Sequence, residues 1–238
     1  MENAEIKNLR LENVNITYSY ESNYFTEVGL LAACVYPTRT CTITDCVVNG
    51  TIRVDTDILL AGGVVGDIYV TNNAKLECAR IQSDTTLQVR ADSVSAGAFS
   101  GNVLGRGEEI FNDLCLQSEI LHSSAYRSYV GAFGGAVNSN GTMSVSNCFI
   151  KINTHKSVAD QVHPLIGGTI DSYKPSGTFT FTNVFGFADG CTLLYEIPSD
   201  NPVVEENCAV TDTLPSDCGF DTDVWDITDP AAPFIKFK

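Results

Sequence analysis

A segment built as a small residue, an apolar pair and a second small residue four positions after the first recurs about every 34 residues in this chain. The copies read GLLAA from Gly29, GGVVG from Gly62, GAFSG from Gly97, GAFGG from Gly131 and PLIGG from Pro164, with starts separated by 33, 35, 34 and 33 residues. Repetition of one unit means that no single copy buries its own apolar face, so successive copies must stack. In such a stack, function tends to reside on the surface rather than in one catalytic pocket.

A second pattern runs in step with the first. It ends at Val14, Cys46, Cys78, Cys115, Cys148, Val184 and Cys208, at spacings of 32, 32, 37, 33, 36 and 24 residues, and predicts about seven coils. These seven residues are expected to form one inward column, with free cysteine acting as a compact hydrophobe.

Within each unit the pattern is that of strands. Leu9 and Leu11, Val14 and Ile16, Cys41 and Ile43, and Phe179 and Phe181 alternate with polar residues, and no stretch keeps helical spacing over three turns. The fold class expected is all-β: a parallel β-helix, or β-solenoid, over residues 1–220, closed by a capping segment at 221–238. Strands about 4.8 Å apart make a seven-coil stack on the order of 30 Å tall. The small residues are expected where backbones approach closely, with Gly62, Gly97 and Gly131 supplying a φ that other residues avoid. Pairs such as Leu30/Leu31, Val64/Val65 and Ala132/Phe133 are expected to cover both faces. Asp45, with Glu77, Leu114, Asn147, Asn183 and Asn207 as its counterparts, reads as a polar corner position with stacked asparagines rather than a catalytic site.

The chemistry-bearing residues are few. Nine cysteines occur without a CxxC, and His122, His155 and His163 are not at zinc-ligand spacing from them. Reduced core cysteine is the favoured reading. A bridge between Cys34 and Cys41 across the Pro37 turn, or between two of Cys191, Cys208 and Cys218, stays open. No basic residue lies between Lys174 and Lys236, while Asp189, Glu196, Asp200, Glu205, Glu206, Asp212, Asp217, Asp221, Asp223, Asp226 and Asp229 accumulate there. The segment from Asp221, with the only tryptophan, is expected to lay aromatic surface on the final coil. Calcium at Asp221, Asp223 and Asp226 is a sharper reading of the same acids, although they do not follow the EF-hand pattern.

With 14 basic against 29 acidic residues the net charge is −15, which disfavours nucleic acid and anionic lipid as partners. No apolar run has membrane-spanning length, and the first residues contain no signal-peptide core. Taken literally this means a cytoplasmic protein. Entry into a coil by Ile6 favours instead a segment of a longer chain.

The small–apolar–apolar–x–small segment, followed by a strand such as VSNC or FTNV, resembles the GLUG repeat of bacterial surface proteins and adhesins. The resemblance spans roughly residues 27 to 190, departing at Ala32/Ala33 and Pro164, and the tail from Trp225 to Phe237 resembles the ending that closes such arrays. It implies a right-handed parallel β-helix, an extracellular or cell-surface location and a role in attachment or spacing, with a host glycan or surface protein as partner. It implies no catalytic residues, because the family motif is structural, and no cofactor-binding or metal residue is singled out in the chain.

A polysaccharide-binding or polysaccharide-degrading β-helix is the alternative. Such enzymes need paired carboxylates, or calcium beside a basic residue. Arg80 and Arg90 have no evident carboxylate partners in the sequence, and His122 and His155 read as loop or surface residues. GRGEE from Gly105 lacks the ending of a phosphate loop. Sugar stacking on Tyr18, Tyr20, Tyr24, Tyr36, Tyr126, Tyr129 and Tyr173, all expected in loops, is weighed against rim packing. The Asn-x-Thr triplets at Asn15, Asn49 and Asn140 read as turn residues rather than glycan acceptors if the source is bacterial, as the resemblance implies, Asn49-Gly50 and Asn140-Gly141 above all.

Overall fold

The computed structural model describes residues 3–21, 24–131, 133–156, 161–163, 176–188 and 201–237. Among them there is no helix. Coil 1 comprises β1 (Asn3–Lys7), β2 (Arg10–Ser19), β3 (Phe25–Gly29) and β4 (Ala32–Val35). Coil 2 has β5 (Thr40–Gly62) and β6 (Val65–Val70), coil 3 has β7 (Lys75–Gly97) and β8 (Ser100–Gly105), and coil 4 has β9 (Glu108–Gly131) and β10 (Gly134–Ser139). β11 (Thr142–Lys156) and β12 (Gln161–His163) form coil 5. The stack continues through β13 (Thr178–Ala188), β14 (Val203–Glu206) and β15 (Ala209–Val210), and the tail carries β16 (Trp225–Asp226) and β17 (Phe234–Ile235).

All pairing between coils is parallel, and one repeat separates the partners: Ile43 faces Cys78, Cys78 faces Phe111, and Val145 faces both Phe111 and Phe181. The larger sheet runs in the order β1-β5-β7-β9-β11-β13-β14, and the smaller in the order β10-β8-β6-β4. The solenoid therefore has about five turns. The matches at Val184 and Cys208, expected as further coils, add rungs to one flank only among the described residues.

The glycines stack as the repeat demands: Gly29 pairs in register with Gly62, Gly62 with Gly97, and Gly97 with Gly131. Their reason is space, not dihedral freedom. A Cβ on Gly62 would meet the Val65 carbonyl and one on Gly97 the Ser100 carbonyl, yet neither residue has a positive φ. Here the larger sheet ends and the chain doubles back into the smaller one, so backbone lies where a side chain would be. Val64 and Val65 are both fully buried, so this pair fills the interior at the bend instead of covering two faces; Leu31 is half-buried beside buried Leu30, and Ala132 lies outside the described residues. The copy at Pro164 lies outside the described residues.

The interior is a continuous apolar column. Phe99, Phe111 and Phe133 are fully buried, with ring centroids 4.5 to 5.5 Å apart. Each such ring contributes about 2–3 kcal/mol by burial alone. The cysteines, expected in one column, occupy three. Cys46 and Cys148 share a column with Ile81, Leu114 and Val184, whereas Cys78 lies three residues earlier, with Ile43, Phe111 and Val145. Cys115 faces away from the solenoid interior, between Gln82 and Phe149. Val14 pairs with Gly50 after a register shift. All eight described cysteines are free thiols, Cys34, Cys41, Cys208 and Cys218 included, and Cys191 lies outside the described residues.

The tail was expected over the final coil; instead it lies along a flank, where Trp225, Phe220, Leu214 and Ile235 pack against the outward row of Cys115, Phe149 and Phe185. The Trp225 indole N–H donates to Asp113 at 3.0 Å, Ile235 N–H to Gln82 at 3.3 Å and the Cys115 thiol to the Pro233 carbonyl at 3.2 Å. The tail is thus a strap across several coils. Its acids close its own turns: Asp221, Asp226 and Asp229 accept backbone N–H groups two residues on.

Candidate functional site: a cleft at a break in the asparagine ladder

One corner of every coil is a single residue in left-handed conformation. These residues are Asn8, Asp45, Arg80, Asp113, Asn147, Asn183 and Asn207, with φ between 51° and 56°. Asparagine suits this corner because its short amide tolerates the conformation and bonds locally. Stacked asparagines also bond along the stack: Asn207 donates to Asn183 at 2.8 Å, Asn183 to Asn147 at 2.9 Å and Asn147 to Asn112 at 3.2 Å. The polar corner is as expected at Asp45, Asn147, Asn183 and Asn207. In coils 3 and 4, however, its members are Arg80 and Asp113 rather than Glu77 and Leu114.

The kink also resets the alternation of the strand. Ile43 and Cys46, three apart, both point inward, and the thiols of Cys46 and Cys148 donate to carbonyls two residues back, at 3.2 and 3.1 Å. Burial pushes the Cys148 and Cys78 thiols well above their ordinary range and the Cys115 thiol up to about 12, so none of them is a ready nucleophile.

Across coils 2 to 4 the ladder becomes ionic. Arg80 grips Asp45 through Nε at 2.6 Å and Nη2 at 2.7 Å. The partner that the sequence does not reveal is thus the corner residue one coil away. This hydrogen-bonded pair holds the Asp45 carboxyl below its ordinary range and raises the Arg80 guanidinium. Asp113, beyond Arg80, is raised by burial, and its bond from Trp225 opposes part of that. Left-handed backbone costs a residue such as arginine about 1–2 kcal/mol, so this departure from asparagine is locally unfavourable.

A cleft of about 560 Å³ opens beside the break, between the corner of the first coils and the strap. Its polar lining is Asn8, Arg10, Asp45, Arg80, Asp223 and Lys236, and Leu9, Val47, Val224 and Phe237 form apolar walls. Arg10 pairs with Glu12 at 3.0 Å and Lys236 donates to the Thr222 carbonyl at 2.8 Å, both in exposed positions. Glu109, whose carboxyl burial pushes up to about 7, is sealed in the interior and does not line the cleft. Asp45, locked to Arg80 and depressed, is not a proton donor near neutral pH. The cleft therefore offers fixed charges and hydrogen-bond donors suited to recognition.

Other residues singled out in the sequence are scattered. Arg90 reaches Asp55 at 3.9 Å, so it too has a carboxylate partner, on the wall of a second, acidic groove of about 400 Å³ that Tyr20 also lines. Tyr20, Tyr24 and Tyr126 are more than 60% exposed, while Tyr36 stacks on Tyr69 at 4.5 Å. Tyr18 lies on β2 and Tyr126 and Tyr129 on β9 rather than in loops, Tyr129 being buried, and Tyr173 lies outside the described residues. His122 is buried within β9 and His155 lies on β11, so neither is a loop residue. Asn15 lies within β2, accepting a bond from Arg53, and Asn49-Gly50 lies within β5, whereas Asn140-Gly141 is a bend as expected. Among the described residues no three His, Cys, Asp or Glu side chains converge as a metal site, and calcium at the tail acids stays an expectation of the sequence. No helix in the described residues is long and apolar enough to cross a membrane.

No family model, curated protein or solved structure matches this chain, so the likeness to GLUG repeats stands on the repeat residues alone.

Proposed function

We propose that this chain is a non-catalytic attachment or spacing module of a secreted or cell-surface protein, of the kind built from GLUG-like repeats in bacterial adhesins. The observation that carries the reading is the use of its chemistry-bearing side chains. Buried cysteines fill core columns, corner asparagines bond along the stack, and the depressed Asp45 is consumed by Arg80. What is left to present to a partner is a flank with exposed tyrosines and a cleft with fixed charges. Its partner is a host glycan or a surface protein. The second reading, a polysaccharide-binding or polysaccharide-degrading β-helix, draws on the same tyrosines, whose rings suit stacking on sugars.

A glycan array run beside a hydrolysis assay separates these readings. Attachment predicts saturable binding without release of reducing ends or unsaturated products; such release would overturn the non-catalytic reading. A pure spacer shows neither binding nor a ligand-induced shift in melting temperature.

A further inference from the structure

We propose that the cleft beside Arg80 recognises the carboxylate of an acidic saccharide, an inference that rests on the attachment reading. The corner position is asparagine in coils 1 and 5 and in the rungs that follow, and from Asn147 through Asn183 to Asn207 the ladder bonds through it. Arginine breaks that rule at a position where the backbone disfavours it, and the break coincides with a cleft of about 560 Å³. Residues held in unfavourable backbone concentrate at functional sites, and the side chain that this strain positions, paired with Asp45, lines the cleft.

The chemistry of the lining fits one carboxylate on a sugar ring. Arg80 uses Nε and Nη2 on Asp45, and its Nη1 makes no hydrogen bond with the described residues. Arg10 and Lys236 line the same cleft, and their present bonds, to Glu12 and to the Thr222 carbonyl, are exposed and readily exchanged. Three basic residues stand against two acidic ones in this lining, whereas the whole chain has 14 against 29. Guanidinium groups match the planar carboxylate, and the apolar walls of Leu9, Val47, Val224 and Phe237 suit the C–H face of a ring. A cleft of about 560 Å³ lies within the usual range for small ligands. The net charge of −15 disfavours polyanions such as phosphates and heavily sulfated chains, but one carboxylate inside a screened cleft escapes most of that field.

The test is calorimetric titration of the full chain with a galacturonic-acid disaccharide, its neutral galactose counterpart and inorganic phosphate. The uronic disaccharide is expected to bind at least about tenfold more tightly than either of the others. The double variant Asp45→Asn/Arg80→Asn places the ladder's own residue at both corners. It is expected to keep the wild-type circular dichroism spectrum while losing at least about tenfold in uronate affinity, and Lys236→Gln to lose a smaller factor. Unchanged uronate affinity in the folded double variant overturns the proposal, as does equal affinity for the neutral disaccharide or for phosphate, or no binding of the uronate. Adhesion of beads coated with the chain to a glycan-bearing surface is scored separately. Adhesion without uronate binding removes this site and leaves the attachment reading standing; loss of adhesion removes the attachment reading itself.

Discussion

Glu109 occupies a position that its neighbours in the stack give to apolar side chains: Leu76 lies below it, Met143 above it, and Cys41 and Phe179 one coil further on each side. It is 0% exposed. The Ser139 hydroxyl donates to Oε2 at 2.7 Å, while Oε1 has no hydrogen-bond partner. Burial pushes the carboxyl from 4.5 to about 7, and the bonds from Ser139 and the Gly107 backbone offset only part of this. Between those two values the folded chain keeps the proton and the unfolded chain has released it, so stability falls as pH rises through the window. At about 1.4 kcal/mol per pH unit, the loss amounts to about 3 kcal/mol by pH 8. Glu109→Gln keeps the shape and removes the charge, and every other titrating group is common to both proteins. Urea unfolding followed by circular dichroism from pH 4.5 to 8.5 is therefore expected to give curves that nearly coincide at the acid end. At the alkaline end the variant is expected to be more stable by about 3 kcal/mol. A difference that is constant across this range, or that grows towards acid, would refute the reasoning.

Trp225→Ala removes the anchor of the strap and is expected to cost about 3–5 kcal/mol in the same assay; Trp225→Phe, which chiefly removes the bond to Asp113, is expected to cost about 1–3 kcal/mol. Asn147→Ala loses two ladder bonds and puts alanine at a φ of 52°, for about 2–3 kcal/mol in all, whereas Asn147→Gly relieves the backbone and should lose less. An alanine variant as stable as the glycine variant would deny the corner its conformational role. Gly62→Ala, whose Cβ meets the Val65 carbonyl, is expected to lower stability by about 1–3 kcal/mol. Gly134→Ala, whose nearest neighbour is a Val137 methyl at 3.0 Å, should be milder by thermal denaturation.

The repeat was legible because glycine at a close approach has no substitute: the stacking of Gly29, Gly62, Gly97 and Gly131 could be read directly. The corner was legible at Asp45, Asn147, Asn183 and Asn207, residue types that announce left-handed backbone, but in coil 4 the cysteine alignment pointed one residue past Asp113, to Leu114. It was invisible at Arg80, whose side chain gives no such sign. Columns blurred for a related reason. Cysteine, isoleucine, leucine and phenylalanine are interchangeable in the interior, so aligning cysteines placed Cys78 three residues and Cys115 one residue off the column of Cys46. That one residue carries Cys115 to the opposite face. Glu109, in a run of glycine and charge, reads as surface, and only the stack shows that its turn of the strand points inward. The strap joins Trp225 to Asp113 across 112 positions, a pairing that no local pattern encodes. The cleft, formed by strap and corner together, was hidden with it.

Coils that touch only their neighbours can peel from an end one at a time. This strap removes that freedom from one side of the stack, because one piece of chain is bonded or packed to Gln82, Asp113, Phe149, Phe185 and Asn207 in successive coils. Loosening any one of these coils strips the strap from the rest. Coils 3 to 5 and the rungs of β13 to β15 are thereby fastened into one cooperative unit that resists pulling along the stack axis.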